Sequence, residues 1–298
     1  MRSKMKKCLT LPAIRKLEAK GFRVANQPIV TGDIQGIPQV AGYELLPRFL
    51  AEDQTILTAR DFEQQMGIED LTTLDALMVQ EAIGASVSAE SSDLFFSFNL
   101  RVSSLSDSGF ADFLISRLAV MNTVERSRLV VEIDGSHLAD GKSFSNYLPR
   151  LKKTLVELTS MGVRICVDGF NHRTNGFRLV SQLPVDAIKF CPEAVKAESR
   201  FLEGKCSDSE SMDLEVMRSF GVSMRAWGCL VIADGIEARA QTSAAKGMGV
   251  THYQGSAFGQ ALVEADLPDV LDAPASINRS YRGGDTEVKD FCQAMASG

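Results

Sequence analysis

Val163-Arg164-Ile165-Cys166-Val167 is a short apolar run that ends directly before an acidic residue, Asp168. Apolar runs of roughly four to eight residues are typical of strands that are buried on both faces of a sheet. The same design recurs along the chain. The runs are LFFSF (94–98), LVVEI (129–133), VRICV (163–167), AIKF (187–190) and CLVIA (229–233).

Longer segments with apolar residues at helical spacing separate these runs. One stripe consists of Leu71, Leu74, Leu77, Met78 and Ala82, and another of Leu148, Leu151, Leu155 and Leu158. Strands that alternate with helices predict βαβ units and a mainly parallel sheet, so the fold class is α/β. At least five such units over about 200 residues favour a TIM-like barrel over an open sheet.

The first two strands differ from the rest. Arg23–Val30 and Gln39–Leu46 are separated only by the turn-rich stretch TGDIQGIP, which predicts a hairpin and therefore an antiparallel first strand. We expect an N-terminal helical extension over residues 1–20, a barrel domain over 21–273 and a polar tail over 274–298. The polar stretch 198–213 is predicted to be mobile, and Trp227, which precedes a strand, to pack in the core or against a helix.

Composition excludes several classes of protein. The 298 residues are 45% hydrophobic and 23% charged with a mean hydropathy of −0.01, which is typical of soluble globular proteins. No apolar run reaches the roughly 18 residues of a membrane helix, and the basic N-terminus fails as a signal peptide. The net charge of −6 argues against direct nucleic-acid binding. Six cysteines without a CxxC pair predict a reduced, cytoplasmic protein.

Polar side chains follow the predicted strands. In a parallel barrel, functional residues lie at the carboxyl ends of the strands and in the loops that follow. Carboxylates, an amide and a lysine on one face suggest a site for a divalent cation and a phosphate ester. The alternative is that these acids are solvated or pair with nearby arginines and lysines. The residues concerned are Glu44, Asn99, Glu132, Asp134, Asp168, Lys189, Asp234, Glu237 and Gln254.

Eight short motifs in order carry a resemblance to a known family. They are QPIV (27–30), GYELLPR (42–48), FNL (98–100), VEID (131–134), DGF (168–170), LPVDAIK (183–189), ADGIE (233–237) and QG (254–255). From about Gln27 to Leu262 the chain resembles the EAL domain family of bacterial cyclic-di-GMP phosphodiesterases and their inactive relatives. The resemblance implies a TIM-like (β/α)8 barrel with an antiparallel first strand.

The resemblance also implies roles for individual residues. Lys189 stands where the family has its catalytic lysine, beside two cations, Mg²⁺ or Mn²⁺. The implied metal ligands are Glu44, Asn99, Glu132, Asp168 and Glu237. The implied contacts to the dinucleotide are Gln27, Glu44, Leu45, Arg48, Asp168 and Gln254.

Three departures from the family pattern put this chemistry in doubt. Gly169 replaces the second aspartate of the family's DDFG motif and offers no ligand. Asp234 replaces a glutamate and is shorter by one methylene, a large retraction for a site that needs sub-ångström placement. The loop 170–176 lacks the family's glycines. We therefore expect an impaired metal site, a vestigial Lys189 and no bound cofactor.

Three functions remain open at this point. The first is a degenerate, stand-alone EAL protein that controls motility, biofilm or virulence genes by binding an unidentified protein, such as a transcriptional regulator. The second is a cyclic-di-GMP receptor without hydrolysis. The third is a phosphodiesterase with low residual activity that uses Mg²⁺ or Mn²⁺. Since active relatives dimerise near the altered loop, we expect a monomer or a different dimer here.

Overall fold

The computed structural model describes residues 21–263, apart from 33–37, 52, 54, 90–91, 136–140 and 172–175. The predicted N-terminal helix over Pro12–Lys20 and the polar tail over 274–298 lie outside the described residues, and so do His172 and Arg173 in the altered loop. Among the described helices, none is long and apolar enough to cross a membrane.

Nine strands form one sheet. They are β1 (Phe22–Gly32), β2 (Pro38–Leu50), β3 (Ile56–Thr58), β4 (Phe95–Asn99), β5 (Leu129–Asp134), β6 (Arg164–Phe170), β7 (Ala187–Phe190), β8 (Leu230–Ala233) and β9 (His252–Gln254). The five apolar runs noted in the sequence are the strands β4 to β8, with bounds shifted by at most a few residues.

Helices connect the strands and cover the outside of the sheet. They are α1 (Ala59–Phe62), α2 (Ile68–Ser88), α3 (Val102–Leu105), α4 (Ser108–Ala119), α5 (Thr123–Ser127), α6 (Gly141–Ser160), α7 (Gly176–Gln182), α8 (Pro192–Leu202), α9 (Asp208–Ala226) and α10 (Arg239–Gly247). A single 3₁₀ turn, Glu63–Gln65, follows α1. Both predicted apolar stripes lie in helices, one in α2 and the other in α6.

The sheet closes into a barrel. Its strand order is β1-β9-β8-β7-β6-β5-β4-β2-β3, and β1 also pairs with β2, so β3 remains outside the closed ring of eight strands. Pairing is parallel from β2 through β4 to β9, whereas β1 is antiparallel to both β2 and β9. The predicted α/β barrel with an antiparallel first strand is therefore confirmed.

Two apolar layers stabilise the barrel. A large cluster lies between the strands and the surrounding helices and includes Leu45, Leu74 and Val131. A smaller cluster fills the barrel interior. Its members are Ile29, Phe95, Val130, Cys166, Ala187 and Ile232. The side chains of each strand alternate between the two layers, because successive residues of a strand point to opposite faces.

Two sequence predictions outside the barrel are wrong. The polar stretch 198–213 was expected to be mobile, but it spans the end of α8 and the start of α9. The Ser207 side chain accepts from the Glu210 backbone and the Glu210 carboxylate accepts from Ser207, a capping box that starts α9 despite the polar composition. Trp227 follows the last turn of α9 and is 72% exposed instead of buried in the core.

Candidate functional site

Strand periodicity places a polar layer directly above the apolar interior of the barrel. Four of the apolar interior residues lie on the consecutive parallel strands β5 to β8. They are Val130, Cys166, Ala187 and Ile232. The residue two positions later on each strand points to the same side of the sheet. Those residues are Glu132, Asp168, Lys189 and Asp234. The strands thus bring three carboxyl groups and one ammonium group to one end of the barrel.

Lys189 lies at the centre of this layer. Its Nζ donates to Glu44 Oε2 at 2.8 Å and to Glu132 Oε2 at 3.1 Å, and the lysine side chain is 1% exposed. Both glutamates are buried as well. Two carboxylates out of contact with water would repel each other strongly, so the single charge of the lysine balances one glutamate while its N–H groups bond to both.

Glu44 is the most heavily bonded group of the layer. Its Oε1 accepts from Asn99 Nδ2 at 2.8 Å, and its Oε2 accepts from Gln254 Nε2 at 2.7 Å. These bonds join β2 to its neighbour β4 on one side and, beyond β1, to β9 on the other. The structure therefore brings together five residues that the resemblance predicts for the site: Glu44, Asn99, Glu132, Lys189 and Gln254.

The protonation of the two glutamates differs because their partners differ. Burial alone would raise the pKa of Glu44, but the Lys189 charge and the bonds from Lys189, Gln254 and Asn99 lower it below its ordinary value. Burial and the neighbouring charge of Glu44 raise the pKa of Glu132 to about 8, against the attraction of Lys189. Burial disfavours the Lys189 ammonium, but the surrounding carboxylates outweigh it and raise the pKa of the lysine well above its usual value.

Asp168 and Asp234 complete the layer. Burial raises the pKa of Asp168 to about 6, although Lys189 opposes the shift. Burial likewise raises the pKa of Asp234, whose charge is felt by Asp168 and Lys189. Asp234 was among the strand-end residues expected to converge, although the family resemblance assigned it no ligand role, and it belongs to the polar layer itself. Its position two residues after Ile232 is the signal that identifies it.

Gly169 lies at an irregularity of the sheet. The pairing of β6 with β7 shifts register between Val167 and Phe170, and Gly169 has φ = 69° inside this bulge. Its backbone N–H donates to Asp168 Oδ1 at 2.7 Å. Any side chain introduced here must adopt the left-handed region, which only glycine, asparagine and aspartate enter readily.

The other predicted contact residues surround the polar layer. Gln27 Oε1 accepts from Gln254 at 3.3 Å, and its Nε2 donates to the Gly259 carbonyl at 3.4 Å. Arg48 is partly buried, and its guanidinium donates to the Pro47 carbonyl at 2.9 Å. Leu45 points away from the layer into the outer apolar core, as strand alternation requires next to the inward Glu44.

Glu237 has other partners. Its carboxylate is 61% exposed and contacts Lys196 Nζ at 3.3 Å. The residue follows β8 in a loop, where it points to solvent instead of the barrel axis. Of the five predicted metal ligands, Glu237 is the one that the structure does not bring to the polar layer.

A cavity of about 480 Å³ adjoins the layer at Asn99. Its wall is mainly apolar, and it also includes Arg101, whose guanidinium contacts Asp75 and Glu63. The Ser104 hydroxyl donates to Asp75 at 2.6 Å. Burial raises the pKa of Asp75 to about 6, against the attraction of Arg101. Sequence reasoning missed this network, because Asp75 lies within the apolar stripe of α2 and no motif marks it.

The polar layer as it stands does not fit a pair of divalent cations. Within residues 21–263, leaving aside the gaps, no three acidic, histidine or cysteine side chains are grouped to hold a metal ion. A divalent cation at this place would need the carboxylates of Glu44 and Glu132 as ligands. The Lys189 ammonium already contacts both of them. Gly169 offers no ligand of its own.

Comparison with known proteins agrees with the architecture. The model of the EAL domain family matches residues 13–261. An EAL domain protein from Listeria monocytogenes has a TM-score of 0.68 at 20% identity, over 85% of this chain and 92% of that one. The FimX EAL domain from Pseudomonas aeruginosa, bound to c-di-GMP, has a TM-score of 0.64 at 19% identity, over 86% and 97%. The PaMucR phosphodiesterase in complex with c-di-GMP has a TM-score of 0.62 at 21% identity, over 85% and 96%. No curated protein matches the sequence.

Proposed function

Because the chain belongs to the EAL domain family, we propose that it is a non-catalytic member of that family which acts by binding another protein. One observation carries the proposal: the Lys189 ammonium is the counter-ion of Glu44 and Glu132. In this arrangement the Lys189 charge balances Glu44, and Glu132, whose pKa is raised to about 8, holds a proton near neutral pH, so the pair needs no metal to be neutralised. Gly169 in place of an aspartate and the exposed position of Glu237 also support it.

A turnover assay tests the absence of catalysis. The purified protein is incubated with cyclic-di-GMP and Mg²⁺ or Mn²⁺, and the linear dinucleotide is measured. We expect no product above the buffer blank with either metal. Rapid metal-dependent turnover that disappears in Lys189→Ala would overturn the proposal, since Lys189 would then be a catalytic residue.

Restoring the missing aspartate should not restore activity. In Gly169→Asp the new residue occupies a left-handed backbone position, which costs most side chains about 1–2 kcal/mol and which aspartate tolerates better than most. Lys189 still contacts Glu44 and Glu132 in this variant, and Glu237 still faces solvent. We expect no turnover in the same assay, and robust hydrolysis by this single variant would show that Gly169 alone disables the site.

A second candidate function is a cyclic-di-GMP receptor without hydrolysis. The observation that favours it is the cavity of about 480 Å³ beside Asn99, which is of a size that holds small ligands. Both the FimX EAL domain and the PaMucR phosphodiesterase described above were solved in complex with c-di-GMP. Calorimetry with cyclic-di-GMP, with and without Mn²⁺, separates the candidates: metal-independent binding favours the receptor, and no heat favours the protein-binding role.

The protein-binding role itself is tested in the native cell. We expect affinity capture with the full chain to retain a specific partner, and the same partner to be retained when cyclic-di-GMP is added. Release of the partner by cyclic-di-GMP would favour the receptor function, with the dinucleotide as the regulating ligand.

A further inference from the structure

The helix α9 exposes an apolar face that does not pack on the barrel. Its buried side consists of Leu214, Met217, Gly221 and Met224. On the opposite side Met212, Val216 and Val222 are between half and three-quarters exposed. Residues spaced by three or four positions lie on one side of a helix. The α9 face is defined here as Met212, Val216, Ser219, Val222, Ala226 and the adjoining Trp227.

The α9 face is nearly symmetric about its central residue, Ser219. Val216 precedes and Val222 follows Ser219 by three positions, while Met212 and Ala226 lie seven positions away on either side. An apolar pattern that is the same in both directions matches a second copy of the helix that runs antiparallel. A two-fold axis through Ser219 produces that contact.

Charge along α9 favours the same partner. The first half of the helix is acidic, and the second half carries the arginines. The acidic residues are Asp208, Glu210, Asp213 and Glu215. Of the two arginines, Arg218 lies next to Ser219 and is already paired with Glu198 and with Glu215, so Arg225 carries the basic charge at the far end of the helix. An antiparallel copy places the acidic half of each helix beside the basic half of the other, whereas a parallel copy would place like charges together.

We propose that two copies of this chain form a dimer through their α9 faces, antiparallel about a two-fold axis at Ser219. The small side chain of Ser219 at the axis allows the two helices to approach closely. Met212 then lies beside Ala226 and Trp227 at the other end of the second copy, a favourable contact between sulfur and an aromatic ring. Glu215 lies on the same side of the contact as Arg225 of the second copy.

This dimer is independent of what the barrel mouth binds. One helix pair gives an interface at the small end of the range for specific complexes, so we expect a concentration-dependent equilibrium between monomer and dimer. Because Trp227 is the only tryptophan in the chain, its fluorescence reports on the interface directly.

Sedimentation equilibrium of the full chain over a concentration series tests the proposal. We expect a dimer whose dissociation constant rises at least tenfold in Val216→Glu, which places two like charges in an apolar contact. Val120→Glu is the matched control, because Val120 is 84% exposed directly after α4 and away from α9, and its dissociation constant should stay at the wild-type value. Dilution should shift the Trp227 emission to longer wavelength.

A charge exchange defines the orientation of the helices. Glu215→Arg and Arg225→Glu should each weaken the dimer severalfold, and the double variant should recover most of the loss, because the pair is restored with opposite signs. A wild-type protein that is monomeric at every concentration would overturn the proposal. So would a dimer that Val216→Glu leaves intact, or one in which the double variant is as weak as the two single variants combined.

Discussion

Lys189 and Lys196 both contact a glutamate, yet the first lysine is 1% exposed and the second 52%. Lys189 is part of β7 and points into the barrel, where its ammonium donates to both Glu44 and Glu132. Lys196 lies on the surface of α8 and contacts Glu237 at 3.3 Å, with both side chains exposed to water. Both contacts involve glutamates that the family resemblance assigns to one metal site. The difference shows that register within a strand, and not the presence of an acid in a motif, decides which glutamate enters the site.

The comparison predicts its largest effect at Lys189. Lys189→Met removes the only cation that contacts both Glu44 and Glu132 among the described residues. Breaking a buried ion pair from one side leaves an uncompensated buried charge, so we expect a loss of about 3–5 kcal/mol in the free energy of unfolding. Urea denaturation followed by circular dichroism measures it.

Lys196→Met is the matched control for Lys189→Met. An exposed ion pair contributes only about 0–1 kcal/mol, so the midpoint of urea unfolding should hardly move. Equal losses in the two variants would mean that burial does not distinguish the two lysines, and the role of Lys189 as counter-ion would then be wrong.

The pH dependence of stability gives the next effect in size. Burial and Glu44 raise the pKa of Glu132 to about 8, while an unfolded glutamate has its ordinary value near 4.5. The folded state therefore holds this proton more tightly, and its contribution to stability is complete below about pH 4.5 and is lost as the pH rises through about 8. A single group changes stability by at most about 1.4 kcal/mol per pH unit.

Glu132→Gln isolates this contribution. The amide cannot ionise, so the variant should lose less stability than the wild type between about pH 5.5 and 8.5, as measured by thermal unfolding at several pH values within that range. Glu237→Gln should leave the wild-type slope unchanged. A wild-type protein that gains stability over this range would contradict the raised pKa of Glu132.

Much of the architecture could be predicted from the sequence. Five apolar runs predicted five parallel strands, and the short turn-rich link between the first two strands predicted their antiparallel pairing. These features are local, because strand burial and turn chemistry are both written into consecutive residues. The start of α9 was missed for the opposite reason: a Ser207–Glu210 capping box outweighs a polar composition that by itself indicates a loop.

The sequence predicted which residues form the site better than it predicted how these residues contact each other. The resemblance named Glu44, Asn99, Glu132, Lys189 and Gln254, which the barrel brings together. It could not give the bonds of Lys189 to two carboxylates, since these run across the barrel interior from β7 to β2 and β5 and depend on the closed ring. The Arg101–Asp75 contact likewise joins two segments 26 residues apart and has no signature in either.

The smallest expected effect is at Glu237, and it decides how far the family pattern extends to this chain. Glu237→Gln removes one charge from an exposed pair with Lys196, so the free energy of unfolding should change by less than about 0.5 kcal/mol. Binding of Mn²⁺, followed by calorimetry, should be the same in the variant and the wild type, because Glu237 faces solvent and Lys189 neutralises the inner carboxylates. If the variant loses a measurable Mn²⁺ affinity that the wild type possesses, Glu237 must turn inward when metal is present. Glu237 would then join Glu44 and Glu132 in one metal site. The contrast between a buried Lys189 contact and an exposed Lys196 contact would hold only for the metal-free protein.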